Sequence, residues 1–160
     1  MSFERPYLDS SVYIAAIKNE PGRGDIARAI LQDAEKGRIR VCASTFVIAE
    51  VLKAPGYEQL SVKEEETIAD FFLHDFFDWA DLDMVLARKA RSLARECSLK
   101  PADAVHLATA IELRADCFLK WDRHFGDGVC RGLRVCEPYA LDRQEELNLA
   151  AATTATGDPE

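Results

Sequence analysis

The stretch PYLDSSVYIAAI, residues 6–17, shows the pattern on which the fold prediction depends. Its first three residues form a short apolar run typical of a buried strand, and the segment from Ser10 to Ile17 indicates a helical turn. Short apolar runs and longer helical segments keep alternating along the rest of the chain. This alternation predicts an α/β fold in layers, with a mainly parallel central sheet.

The other elements follow from the same patterns together with their capping and breaking residues. Further strands are predicted at 39–42, 76–79, 117–119 and 133–136. Helices are predicted at 25–36, 44–52, 62–73, 83–97 and 102–114. The run from Ile68 to Phe77 is unusually aromatic, and we also interpret it as an apolar helix whose phenylalanines face the core rather than a partner.

Length and composition predict one domain over residues 1–147, followed by a disordered tail of small and polar residues at 148–160. No apolar run reaches the roughly 20 residues of a membrane-spanning helix, and Glu4 and Arg5 stand where a secretory signal would be apolar. Five scattered cysteines lack the spacing of a disulfide framework or a zinc site, so we expect reduced, packed thiols. These features predict a cytoplasmic protein.

The net charge of −8 argues against broad electrostatic adhesion to nucleic acid, because phosphate binding needs clustered Lys and Arg. A role in nucleic-acid chemistry would therefore have to be local. Such a role becomes compatible with this charge if many of the acids converge on a metal ion.

Two aspartates follow apolar strands, where ligand sites form in open α/β sheets. Asp9 comes directly after the first strand, and Asp122 follows the strand at 117–119. Each also has a simpler explanation, since Asp9 can cap the next helix and Asp122 can stabilise a turn. Neither residue decides between these alternatives by itself.

Two further acids lie in helices. Glu50 is surrounded by apolar residues, so its carboxylate needs a cation, a partner or an opening to water; the alternative to a metal is a surface pair with Lys53 or an arginine. Asp103 begins a helix, where the dipole alone favours an anion. His106 lies one turn further on the same face, and we expect it to be packed or hydrogen bonded rather than a metal ligand.

Taken together, these four acids are oxygen ligands without nearby cysteine or histidine spacing, a combination that selects Mg²⁺ or Mn²⁺ over zinc. Crowded carboxylates cannot all stay ionised without a counterion. The chemistry that such a cluster favours is phosphodiester hydrolysis by a metal-bound water.

The chain resembles the PIN-domain family, and within it the VapC-like toxins, from Tyr7 to about Tyr139. The matching stretches are residues 7–12 (YLDSSV), 43–51 (ASTFVIAEV), 101–110 (PADAVHLATA) and 121–125 (WDRHF). The resemblance implies a three-layer α/β/α fold and a ribonuclease in which four acids coordinate Mg²⁺ or Mn²⁺: Asp9, Glu50, Asp103 and Asp122. It also implies an RNA substrate, a small antitoxin that holds the toxin inactive, and a homodimer.

One departure from the family pattern is Lys120, which replaces the usual Thr or Ser two residues before the last aspartate. On a strand, positions two apart share a face, so Lys120 should point toward the site if Asp122 does. Its ammonium could pair with the acids and weaken metal binding, or it could bind an RNA phosphate; an outward-facing lysine is the third alternative.

Several neighbours are candidates for supporting roles. Ser11 could support Asp9 by a hydrogen bond, and Asp127 is either an accessory acid or a turn residue. Lys18, Arg23 and Arg123 are candidates for RNA contacts at the rim of the site, although solvated surface charge is the default interpretation of each.

Two other functions compete with the nuclease. The fold could serve as a non-catalytic RNA-binding or protein-interaction module, a possibility suggested by Lys120. An aspartate-nucleophile phosphohydrolase would need a second acid two residues after Asp9, and Ser11 stands there instead, so we rank this function low.

Overall fold

The computed structural model describes residues 3–51, 61–121 and 128–140. The strands are β1 (Pro6–Leu8), β2 (Val41–Ser44), β3 (Phe77–Ala80), β4 (Cys117–Leu119), β5 (Gly128–Cys130) and β6 (Leu133–Cys136). The helices are α1 (Ser10–Lys18), α2 (Gly24–Glu35), α3 (Thr45–Val51), α4 (Val62–Phe71), α5 (Met84–Glu96) and α6 (Pro101–Glu112).

The strands form a six-stranded sheet in the order β3-β2-β1-β4-β6-β5. All neighbouring pairs are parallel except β5 and β6, which are antiparallel. The predicted fold class, a three-layer α/β/α arrangement around a mainly parallel sheet, is confirmed. Strands β1 and β4 lie at the centre, so the residues that follow them share the carboxyl edge of the sheet.

The two faces of the sheet bury separate cores, because successive side chains on a strand point to opposite sides. Leu8 and Leu119 belong to the core shared with α1 to α4, which we call the first face. Tyr7 and Phe118 belong to the core shared with α5 and α6, the second face. Every residue of β1, β2 and β4 is buried, as expected for central parallel strands covered by helices on both sides.

The interpretation of Ile68 to Phe77 as a single helix is wrong. Helix α4 ends at Phe71, and a turn in which the amide of Leu73 donates to the carbonyl of Asp70 (3.0 Å) separates it from β3. Strand β3 then begins at Phe77, which pairs with Val41 of β2. Pairing with β2 therefore determines the conformation of Phe77, although the apolar pattern of the run also fits a helix. The aromatic side chains of this run do pack in the first core, as predicted.

Other boundaries differ by a few residues. Strand β2 was predicted at 39–42 and lies two residues later, while β5 was not predicted because its three residues carry no distinctive pattern. The tail predicted at 148–160 lies outside the described residues. Among those described, no helix has both the length and the apolar character that crossing a membrane requires.

Candidate functional site

Asp9 lies between β1 and α1 and has two structural roles there. Its backbone amide donates to the carbonyl of Leu119 (3.0 Å), which ties it to the end of β4. Its carboxylate accepts a hydrogen bond from the amide of Ser11 (3.1 Å) and so caps α1. Asp9 is therefore a helix cap at the carboxyl edge of the sheet, with one carboxylate oxygen engaged and the other facing α6.

Ser11 joins the ends of the two central strands. Its amide holds the Asp9 carboxylate, and its hydroxyl accepts a hydrogen bond from the amide of Trp121 (3.3 Å), just beyond β4. The support of Asp9 by a hydrogen bond from Ser11 is thus present in the structure, although the backbone amide supplies it.

Glu50, on α3, pairs with His106, on α6. The Glu50 carboxylate lies 2.7 Å from His106 Nε2, and Asp9 Oδ1 lies 3.8 Å from the same nitrogen. On the other side of the ring, His106 Nδ1 lies 2.8 Å from the Tyr7 hydroxyl. The described partner of Glu50 is therefore a histidine; Lys53, the lysine considered above as its surface partner, lies outside the described residues. The expectation of a hydrogen-bonded His106 is confirmed.

The electrostatics of His106 reflect the surrounding acids. Burial alone would lower its pKa, but the hydrogen bond to Glu50 and the charges of Asp9, Glu50 and Asp103 outweigh burial, so the pKa lies above its ordinary value. Asp103, in the first turn of α6, is half-buried and contributes to this shift. Three of the four predicted acids therefore act on one imidazole.

Lys120 directly follows β4 and is 3% exposed. Its amide donates to the carbonyl of Cys136 (3.1 Å), so the pairing of β4 with β6 continues through this residue. Leu119 and Trp121 belong to the first core and Phe118 to the second, and this alternation assigns Lys120 to the second face, the side of α6. The outward-facing alternative for Lys120 is therefore wrong.

The remaining predicted site residues divide into two groups. Lys18 and Arg23 are exposed, and the Arg23 guanidinium lies 5.5 Å from the centre of the Trp121 ring. Outside the described residues lie Asp122, Arg123 and Asp127.

The donor chemistry of the site suits a hard divalent cation, since Asp9, Glu50 and Asp103 offer only oxygens. One oxygen of Asp9 and one of Glu50 both lie close to His106 Nε2, so the two carboxylates are near neighbours. Over the described ranges, however, no group of three or more His, Cys, Asp or Glu side chains is close enough to hold a metal. The described residues therefore fit such an ion in chemistry but do not complete its coordination by themselves.

Sequence reasoning placed His106 one turn after Asp103 on the same helix face and expected it to be packed or hydrogen bonded, but it identified neither of the partners, Glu50 and Tyr7. Tyr7 carried no such signal, because only the folded sheet brings its hydroxyl to His106, 99 positions later in the chain.

The fold and the site define an α/β/α protein in which Asp9 and Glu50 approach one buried histidine at the carboxyl edge of a mainly parallel sheet. A family model described as PIN domain matches residues 7–127, and the chain belongs to this family. No curated protein matches the sequence.

Several solved structures share the fold. A toxin–antitoxin complex from Klebsiella pneumoniae is 22% identical and has a TM-score of 0.58, covering 85% of this chain and 99% of that one. VapBC2 from Rickettsia felis, bound to a DNA fragment from its promoter, is 15% identical with a TM-score of 0.60 (83% and 98% covered). VapC20 from Mycobacterium tuberculosis, described as a sarcin–ricin loop cleaving toxin, is 16% identical with a TM-score of 0.59 (81% and 98% covered).

Proposed function

We propose that this chain is a metal-dependent ribonuclease that hydrolyses RNA phosphodiester bonds and serves as the toxin of a toxin–antitoxin pair. The observation that carries the proposal is the convergence of Asp9 and Glu50, from different elements, on one buried imidazole at the carboxyl edge of the sheet. Membership of the PIN family supports it. An RNA substrate is supported by the M. tuberculosis neighbour, which is described as cleaving the sarcin–ricin loop.

In this proposal the ion is Mg²⁺ or Mn²⁺, held by four acids: Asp9, Glu50, Asp103 and Asp122. Such an ion, when bound, lowers the pKa of an attacking water and offsets charge on the phosphate. The chain's own contribution is to fix the acids: the Ser11 amide holds one oxygen of Asp9, and His106 holds one oxygen of Glu50. Asp127 is proposed as an accessory acid.

RNA would be held at the rim of the site by basic side chains. Arg23 is the best supported, because it lies over Trp121, whose amide is bonded to the Ser11 hydroxyl beside Asp9. A guanidinium there can bind a phosphate through two hydrogen bonds. Lys18 and Arg123 are proposed for the same role.

We also propose that a small antitoxin protein binds this chain, since neighbouring structures are toxin–antitoxin complexes. A homodimer, which the resemblance implies, and a cytoplasmic location, which cysteines without the spacing of a disulfide framework favour, complete the proposal.

The catalytic proposal is tested by neutralising single acids. Asp9→Asn and Asp103→Asn should each reduce Mn²⁺-dependent RNA cleavage at least about 100-fold, a typical loss when an electrostatic contribution to the transition state is removed. Asn is as good a helix cap as Asp, so Asp9→Asn should keep the fold. Cleavage of a structured RNA by purified protein provides the measurement.

The matched control is Asp25→Asn, which removes the same charge from an exposed residue of α2. It should cleave like the parent. If Asp9→Asn and Asp103→Asn also cleave like the parent, the catalytic assignment is wrong.

The alternative function, a non-catalytic RNA-binding or protein-interaction module, depends on what Lys120 does to metal binding. Lys120 is buried on the face of the sheet that α6 covers, where its ammonium would compete with a metal for nearby acids, whereas binding an RNA phosphate would need access to solvent. We therefore expect Lys120→Thr to lower the Mn²⁺ concentration for half-maximal cleavage. An unchanged titration would remove Lys120 from the site, and a parent protein that binds no Mn²⁺ would favour the non-catalytic module.

A further inference from the structure

Behind Glu50 lies a buried pair of side chains, Tyr7 and His106, that the nuclease chemistry does not use directly. Tyr7 and His106 are 0% and 1% exposed. The Tyr7 hydroxyl is 2.8 Å from Nδ1 of the imidazole, and Nε2 is 2.7 Å from the Glu50 carboxylate. A continuous line of hydrogen bonds thus runs from the sheet through α6 to an acid on α3.

The hydrogen on Nε2 faces Glu50 in either charge state of the ring. When the imidazole is neutral, the Tyr7 hydroxyl donates to Nδ1 and the ring hydrogen stays on Nε2. When it is protonated, both nitrogens carry hydrogens and Nε2 still donates to the carboxylate. If Nε2 carried no hydrogen, its lone pair would face the negative charge of Glu50, and the two would repel each other. The direction of this hydrogen bond therefore does not depend on how His106 titrates.

Packing fixes both rings. Tyr7 packs edge-on against Phe118, with ring centres 5.1 Å apart, and Phe46 packs against the imidazole at 5.7 Å. Rings held in this way lose little further freedom when they bind a partner. The Glu50 side chain is partly exposed and has several rotatable bonds, so it gains most from a fixed partner.

We propose that the Tyr7–His106 pair is a positioning device that holds Glu50, and to a lesser extent Asp9, in the orientation that binds a divalent cation. Tyr7 and Asp9 are two apart along β1 and its extension, so one short segment supplies both a metal ligand and the support of a second ligand. The inference rests on the proposed function, because it assigns Glu50 to the metal site. His106 acts here through Glu50 and is not itself a ligand.

The test is direct titration of the full chain with Mn²⁺ alone by calorimetry, without RNA. His106→Leu should weaken Mn²⁺ binding about 10- to 100-fold, as is typical when an outer-shell partner of a metal ligand is lost. His106→Gln should recover part of the affinity, because its amide can donate toward Glu50. Tyr7→Phe should weaken binding by roughly threefold or more, since it acts only through the imidazole.

The matched control is Tyr13→Phe. Tyr13 is also a fully buried tyrosine, but it lies on the first face of the sheet, and over the described residues its hydroxyl has no hydrogen-bond partner. Its loss should leave Mn²⁺ affinity unchanged. Equal affinities for Tyr7→Phe and Tyr13→Phe, or a folded His106→Leu that binds like the parent, would overturn the proposal.

A second measurement separates this inference from the nuclease proposal. In metal-free protein with ¹⁵N-labelled histidine, the Nε2 resonance of His106 should be that of a protonated nitrogen, and Glu50→Gln should shift it. An unprotonated Nε2 overturns the positioning role even if Mn²⁺ binds. A protonated Nε2 in a chain that binds no Mn²⁺ instead shows that the metal assignment fails and that the pair is merely structural.

Discussion

Tyr7 and Tyr13 show how differently the two faces of the sheet are built. Both side chains are fully buried, and they are six positions apart in the chain. On the second face, Tyr7 bonds to His106 and through it to Glu50. On the first face, Tyr13 lies among the rings of Phe71, Phe72 and Phe77, at centre distances of 5.5 to 6.4 Å.

The difference shows where polarity is tolerated in this interior. A buried polar group is inexpensive only when it is hydrogen bonded, and the second face offers such partners beside the acidic edge. Around Tyr13, the described residues of the first face offer packing alone. We infer that the first face mainly supplies stability and that the second face supplies the buried hydrogen-bonding partners, Tyr7 and His106, of the site.

The largest effect on stability should come from a substitution on the first face. Phe77→Ala removes a buried ring that contacts Tyr13, Phe72 and Trp79, and it should lower the free energy of unfolding by about 3–5 kcal/mol. Urea denaturation measures this loss. Leu73→Ala, at a side chain 81% exposed, is the control and should change stability by less than about 0.5 kcal/mol. Similar losses for both variants would contradict the role assigned to this face.

Replacing either tyrosine by phenylalanine should change stability less, and the two substitutions should differ in direction. Tyr7→Phe breaks a buried hydrogen bond and should destabilise the protein by about 1 kcal/mol. Tyr13→Phe removes a hydroxyl without a partner among the described residues and should be neutral or stabilising by up to about 1 kcal/mol. Both values come from the same urea experiment, and equal destabilisation by the two variants would contradict the distinction between the faces.

The smallest effect should be a pH dependence on the second face. Because the surrounding acids raise the pKa of His106 above 6.5, the folded state retains a proton that the unfolded chain releases at lower pH. Its contribution is complete below pH 6.5 and is lost as the pH rises through the folded value. The difference in unfolding free energy between the parent and His106→Gln should therefore shrink with rising pH; a flat difference would contradict the shift.

Much of the architecture was predictable because the relevant signals are local. The apolar run before Asp9 and the proline at the start of α6 mark elements that the structure confirms. The aromatic run after Ile68 misled the prediction, since its phenylalanines fit a buried helix as well as a buried turn and strand. The strand also predicted at 76–79 is the correct assignment, and pairing with β2 decides between the two.

The site was predictable in composition but not in contacts. The positions of Asp9 and Asp103 follow from strand and helix ends, whereas the partner of Glu50 depends on how α3 and α6 approach each other. The buried position of Lys120 likewise depends on continued pairing between β4 and β6. Such details are set by residues far apart in the chain.

By itself, the sequence determined most of the strands and helices and the presence of acids where some of them begin or end, because periodicity and capping act over a few residues. The tertiary structure alone decided that Tyr7, Glu50 and His106 meet, since hydrogen bonds between distant segments exist only once the sheet and its helices have packed.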